Sequence, residues 1–332
     1  MSTETNTESD LKETLLENCP KDGITSVRFS PYSKFHVLAS SWDGTMRYYD
    51  VSSNKMDIMF ELGFPLLDCD PIDASAFCAA SIDQNVYLCY LRDGSFKRLG
   101  THDNAVRCVR YSSSTNSLLS GSWDFTVKGW DLRDHTNSFT VPQENKVYSM
   151  SVVDSTLVVA TANRKILIWD LRNPRTPVKR DSSLKYQTRK VECFSTKEGY
   201  VVASIEGRVA VEFFDLENQS RKFAFKCHRS TGIDGVEIIH PVNGVSFHPV
   251  HGTFATGGSD GFVSIWDPFN RKRICQLRRF PNSISSLSFS SDGTMLAIAS
   301  SYLYEENEKE VDPDSIYIRT LSDTDTKQRP KN

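Results

Sequence analysis

Apolar and polar residues alternate with a period of two along almost the whole chain, in short runs divided by Ser, Asp, Gly, Asn and Pro. Runs such as ITSVRFSPYSKFHVLAS, AVRCVRYSSSTNSLLSG, NGVSFHPVHGTFATGG and SISSLSFSSDGTMLAIAS each predict two half-buried β-strands joined by a turn. No stretch carries a convincing helical period. After each such pair comes a tight turn and a third strand. The series reads SWDGTMRYYD (41–50), SIDQNVYLCY (81–90), SWDFTVKGWD (122–131), TANRKILIWD (161–170), SIEGRVAVEFFD (204–215) and SDGFVSIWD (259–267). A seventh unit is degenerate, its turn lengthened to SYLYEENEKEVDPD before IYIRTL.

A repeat of roughly 40 to 45 residues with Trp-Asp endings is the WD-repeat signature, one four-stranded blade per repeat. The pattern therefore predicts an all-β chain folded as a single seven-bladed WD-repeat β-propeller. An open ring would leave bare sheet edges, and the seventh unit is one strand short. The N-terminal segment Glu13–Glu17 is expected to supply that strand and close the last blade. The propeller then spans residues 11–322, with residues 1–10 and 323–332 read as disordered tails.

The recurring polar residues have mechanical work. In the third unit, His102, Asp124, Trp130 and a strand serine (Ser120 or Ser122) can form a hydrogen-bonded tetrad that ties the blade together. His228, Asp260 and Trp266 can do the same in the sixth. These assignments are structural, not catalytic or metal-binding. His248 and His251 in FHPVHGTF are expected to decorate a turn.

Composition narrows the function. Of 332 residues, 39% are hydrophobic, which suits a sizeable core, and a formal charge of -3 argues against a general nucleic-acid binder. Apolar runs fall short of a membrane span, and the polar, acidic start MSTETNTESDLKE resembles neither a signal nor a transit peptide. The eight cysteines are scattered and never form C-x-x-C, so a reduced intracellular setting is expected. No Walker loop, G-x-G-x-x-G, H-E-x-x-H or G-x-S-x-G occurs. No catalytic residue, metal or cofactor is assigned; a docking platform, not an enzyme, is expected.

The second-to-third-strand turns and the links between blades share one face of the disc. Trp42 and Trp123 occupy the variable place of S-x-D in units one and three, where exposed indoles would anchor a partner. Cations gather on the same face from ANRK (162–165), IEGR (205–208) and the links, which add Lys146, Lys185, Arg189, Lys190 and Arg229. Convergence from separate repeats points to an acidic or phosphorylated peptide. RKR at 271–273 follows a Trp-Asp end, away from this sector, and reads as solvated.

The segments SWDG, GSWDFTVKGWD, SSLKYQTRKVECF, IEGRVAVEFFD, FAFKCHR and TFATGGSDGFVSIWDPFN closely resemble the small non-kinase WD-repeat member of the "budding uninhibited by benzimidazoles" spindle-checkpoint class. The related messenger-RNA export propeller of the Rae type shares IEGRVA and FKCHR and is the alternative. The resemblance implies a non-enzymatic adaptor with two docking functions. One is capture of the acidic GLEBS segment of checkpoint kinases or pseudokinases, for which Trp42, Trp123, Arg164, Lys165 and Glu206 are the candidates. The other is recognition of phosphorylated Met-Glu-Leu-Thr-type repeats of a kinetochore scaffold by Arg189, Arg208 and Lys185, with Tyr186 bracing the peptide. Other checkpoint proteins are further candidate partners; membrane and direct nucleic-acid contacts are not expected. A monomer is implied, in the nucleus, at the kinetochore in mitosis, and in the cytoplasm.

Overall fold

The computed structural model describes residues 12–305 and 310–328. They form seven four-stranded antiparallel sheets and a two-stranded hairpin, Arg229–Thr231 with Glu237–Ile239. The sheets are blades set around a hub. Blade one runs from hub to rim as Ile24–Phe29, His36–Ser41, Thr45–Asp50 and Lys55–Glu61, and its turn at Asp43-Gly44 places Gly44 at φ +79°. Blade five is Thr188–Cys193, Gly199–Ser204, Arg208–Phe213 and Phe223–Lys226; blade six is Val242–Phe247, Phe254–Gly258, Val263–Asp267 and Lys272–Gln276.

The core lies in the seams between blades. Leu38, Met46 and Phe60 of blade one pack with Leu66, Cys69 and Phe77 of blade two in one buried cluster. Each large apolar side chain so buried contributes roughly 1.5–3 kcal/mol, so a blade is stabilised mainly by its neighbours. At the hub, the unpaired edge of each inner strand needs acceptors. Val27 and Phe29 donate their amides to Ser286 Oγ and Ser288 Oγ of blade seven, at 3.1 and 2.9 Å. Val191 and Cys193 likewise donate to Ser149 and Ser151, and Tyr111 to Asp70. Short polar side chains at the same strand positions thus stitch adjacent blades together.

Ring closure follows the expected route. Glu13–Leu15 pairs antiparallel with Ser315–Thr320, completing blade seven beside Met295–Ser300 and Ile284–Phe289. The Glu13 carboxylate, almost wholly buried, bonds Arg319 at 2.9 Å and Arg278 at 2.6 Å. Removing it leaves a shielded guanidinium without this partner. Glu13→Ala is expected to cost about 2–4 kcal/mol, read as a lowered midpoint in urea unfolding; an unchanged midpoint would show that backbone pairing alone closes the ring.

The carboxy-terminal segment differs from expectation. Asp323–Thr326 is a short helical turn, not a disordered tail. Ser322 donates its amide to Asp325 (2.9 Å), Thr253 Oγ1 donates to the Thr326 carbonyl (2.8 Å), and Thr326 is buried against His251. These satisfied polar groups hold the segment on blade six. Residues 1–10, the other expected tail, lie outside the described residues, as do residues 329–332.

Candidate peptide-docking face

Both tetrads form. In blade three, Trp130 Nε1–H donates to Ser120 Oγ (2.8 Å), which lies 2.7 Å from His102 Nε2, while His102 Nδ1 lies 2.8 Å from Asp124. The serine left open by the sequence is Ser120; Ser122 instead bonds the Asn104 and Ala105 carbonyls. Burial holds His102 below its ordinary pKa despite the nearby Asp124 carboxylate. A neutral ring with hydrogen on Nδ1 satisfies the whole chain, from indole to serine to imidazole to carboxylate. In blade six the hydroxyl is Thr256, 2.8 Å from both His228 Nε2 and Trp266 Nε1, with Asp260 2.9 Å from His228 Nδ1. These residues build blades. His248 and His251 stack at 4.2 Å, and His248 Nδ1 accepts the amides of Val250 and His251, as a turn requires. Among the described residues no cluster of ligands could hold a metal.

The second-to-third-strand turns of blades one, three and seven meet at the mouth of the hub, where a cavity of about 510 Å³ opens. Trp42 and Trp123 line it together with Arg107, Arg189, Asn243 and the Tyr302–Tyr304 stretch of blade seven's long turn. Trp42 is 42% exposed, and its ring crosses Gly23, where an added Cβ would come within 3.1 Å of Cδ1. Trp123 is half-buried, lies under Lys146 Nζ at 5.8 Å, and keeps its indole N–H shielded from solvent without an acceptor. Beside it Phe125 is exposed with φ 68°, a left-handed conformation that costs an L-residue about 1–2 kcal/mol.

The two arginines occupy the second place of their inner strands. Arg107 Nη1 donates to the Leu67 carbonyl (3.0 Å), and Arg189 Nε to Asn243 Oδ1 (3.0 Å). Asn243 is fixed in turn by Ser259 Oγ, at 2.9 Å. Burial and then the like charge of Arg107 lower the pKa of Arg189. Among the described residues neither guanidinium has a carboxylate at ion-pair distance. Two indoles, one orphan N–H and two unpaired cations therefore converge on one opening.

The other predicted residues are distributed differently. Lys185 and Tyr186 are exposed in the link before Arg189, and Arg208 starts the third strand of blade five. Glu206 holds these parts together, accepting the Lys185 amide (3.0 Å) and approaching Arg208 Nε (3.6 Å). Its carboxylate is thus engaged within the site. Arg164 donates to the Leu184 carbonyl (3.2 Å), and Lys165 pairs with Asp181 (2.8 Å). Arg229 clamps the same turn through the Glu206 carbonyl, at 2.7 Å. Lys190 is not a surface cation of this face. It lies in the hub, where burial, then the like charges of Arg28 and Arg110, pull its ammonium down to about 7.

Sequence reading missed Arg107, Asn243, Phe125 and the two tyrosines. Aligning the inner strands VRCVRY and TRKVEC would have found Arg107, because both arginines hold the same strand position. No linear signal marks Asn243 or the tyrosines, which join the site only through ring closure.

Comparison places this geometry in a known class. The model of the WD domain, G-beta repeat, matches residues 12–50, 94–131 and 224–267. The solved structure titled "Structure of U3-55K" superposes with a TM-score of 0.81 at 16% identity, covering 94% of this chain and 99% of that one. The fold is that of the WD-repeat β-propellers, a class typically built as scaffolds. Mitotic checkpoint protein BUB3.1 of Arabidopsis thaliana is 49% identical, with 95% of each chain covered, and Mitotic checkpoint protein bub-3 of Caenorhabditis elegans is 48% identical over 93% of each. Protein Rae1 of Drosophila melanogaster is 36% identical over 92% of each. The chain belongs to the Bub3 family of mitotic checkpoint WD-repeat propellers, with the Rae1-type propellers as related members.

Proposed function

We propose that this chain is a non-enzymatic spindle-assembly-checkpoint adaptor, carrying a kinase or pseudokinase to a phosphorylated kinetochore scaffold. The observation that carries the reading is the pair of arginines, Arg107 and Arg189, that line the hub mouth with Trp42 and Trp123 and have no carboxylate at ion-pair distance among the described residues. An extended acidic segment of the GLEBS type suits that opening. Its carboxylate would meet the guanidinium forks, a backbone carbonyl the Trp123 N–H, and apolar side chains the indoles. Arg164 and Lys165 would then act by holding the link and the blade-four edge, and Glu206 by bracing the turn.

The blade-five cluster of Lys185, Tyr186 and Arg208, with Arg189 at its border, suits a phosphothreonine of a Met-Glu-Leu-Thr-type repeat. Phosphate adds about -1.5 to -2 charge at neutral pH, enough to compete for Arg208 against its long contact to Glu206. Such an adaptor would reside in the nucleus and gather at kinetochores in mitosis. The Rae-type export reading shares the mouth but has no need of the phosphate cluster. Calorimetric titration with phosphorylated and unphosphorylated repeat peptides separates them. Binding of the phosphorylated form alone, weakened about tenfold or more in Lys185→Ala/Arg208→Ala, is expected. Equal binding of both forms, or of neither, overturns the phosphate reader.

A further inference from the structure

We propose that the flank of the propeller between blades five and six is a second docking groove, separate from the hub mouth, for an acidic protein segment bearing apolar side chains. It contains the basic run 271–273, for which the top face has no use. Two cavities, of about 370 and 120 Å³, meet at Lys226 and Trp266 and follow the outer edges of both blades. One wall is Phe223–Lys226, the outermost strand of blade five, which pairs only inward with the third strand. The other is Lys272–Gln276, the outermost strand of blade six.

The floor is apolar and ordered. Phe225 lies 4.6 Å from the Trp266 ring and 6.0 Å from Phe223, and all three side chains are half-buried. The rim is cationic. Among the described residues, Arg271, Lys272 and Arg273 have no ion-pair partner, nor have Arg221 and Lys222 nearby. The acids that line the groove are already occupied. Glu237 is shared between Arg229 (2.6 Å) and Lys226 (3.6 Å), Asp260 serves His228, and Asp267 accepts the amides of Phe269 and Asn270. The whole chain carries -3, so this excess is local.

Two of the cations are held in place before any ligand arrives. The Arg271 guanidinium lies over Phe223 and that of Arg221 over Phe213, each at 4.6 Å, and Arg271 Nη2 donates to the Arg221 carbonyl (3.3 Å). Such ordering reduces the entropy lost on binding. A protein segment fits better than nucleic acid because the ring faces are covered: Arg271 lies on Phe223, and Phe225 on Trp266. Bases would find few open platforms, whereas an extended chain finds a free strand edge, apolar recesses and cations on both sides.

The test uses the full chain and a labelled eight-residue peptide of alternating glutamate and phenylalanine, followed by fluorescence anisotropy. Lys272→Glu/Arg273→Glu, both exposed, should weaken its binding by about tenfold or more. A lysine–phenylalanine peptide should not bind, and the thermal midpoint and the affinity for the phosphorylated repeat peptide should not change. Undiminished binding of the acidic probe to the variant overturns the groove, since the probe then sits elsewhere. So does an oligouridylate that binds in place of the acidic probe and is lost in the variant. Loss of the phosphorylated repeat in this variant would also overturn a separate groove, whereas failure of that repeat to bind the unsubstituted protein bears only on the checkpoint reading.

Discussion

Arg107→Ala combined with Arg189→Ala should weaken capture of an acidic kinase segment by about a hundredfold, without lowering the stability of the propeller appreciably. Truncating the protein half of a shielded charge pair removes about 2–5 kcal/mol of binding, and both guanidiniums face the same opening. The free protein loses little. Arg189 is desolvated and repelled by Arg107, so removing both relieves a strain that offsets their bonds to Leu67 and Asn243. Calorimetry with the isolated segment and thermal unfolding of the same variant measure the two quantities separately. Affinity within about threefold of the unsubstituted protein would sink the mouth as the docking site. Trp42→Ala/Trp123→Ala serves as the apolar counterpart, expected to cost about 2–4 kcal/mol of affinity. Its binding should respond to salt as the unsubstituted protein does, whereas the arginine variant should lose much of that dependence.

Asp124→Ala should be the most damaging single change to the fold among the polar residues of its tetrad, at about 2–4 kcal/mol. The carboxylate accepts from His102, from the Asp103 amide, and from the amide and hydroxyl of Thr126. Without it the buried imidazole N–H keeps only the longer contact to Thr126 Oγ1, at 3.1 Å, and the turn before the third strand loses its organiser. Burial alone would raise the Asp124 pKa, but the Thr126 bonds, then the Asp103 amide and His102, hold it below the ordinary value. Its contribution is therefore complete above about pH 4 and is lost as pH falls through the folded value. His102 acts in the same direction, since its folded pKa is depressed and acid below about pH 6.5 favours the unfolded, protonated form. Urea midpoints for Asp124→Ala and the unsubstituted protein should converge as the pH is lowered. A constant difference down to strong acid would assign Asp124 a purely steric part.

The blade pattern was legible because period-two alternation and the Trp-Asp turns are local, and local geometry suffices to predict strand, turn and strand. Closure by Glu13–Leu15 was legible for a related reason: a missing strand leaves an edge that must be paired. The phosphate candidates were only partly legible. Lys185 and Arg189 are near neighbours in SSLKYQTRK, yet Lys185 stays in the exposed link while Arg189 turns to the hub mouth and Lys190 enters the hub. Successive residues of a strand point to opposite sides, and a bulge between Thr188 and Lys190 alters that alternation at the junction. The carboxy-terminal turn was misread for want of its partners, Thr253 and His251, which lie some seventy residues away in sequence.

The sequence by itself determined that this chain is a seven-bladed ring, that its third and sixth blades can be tied by chains through His, Asp and Trp, and that indoles and cations share one face. Those conclusions need only the repeat, because each copy folds by the same local rules. Tertiary structure alone decided which cations face one another. Arg107 and Arg189 come from blades three and five, Asn243 from six and Tyr302 from seven, so their meeting depends on closing the circle. That neither has a carboxylate at ion-pair distance among the described residues is likewise a property of the assembled mouth. A charge is left unpaired by what the folded chain fails to bring near it, and that follows from the distances between blades.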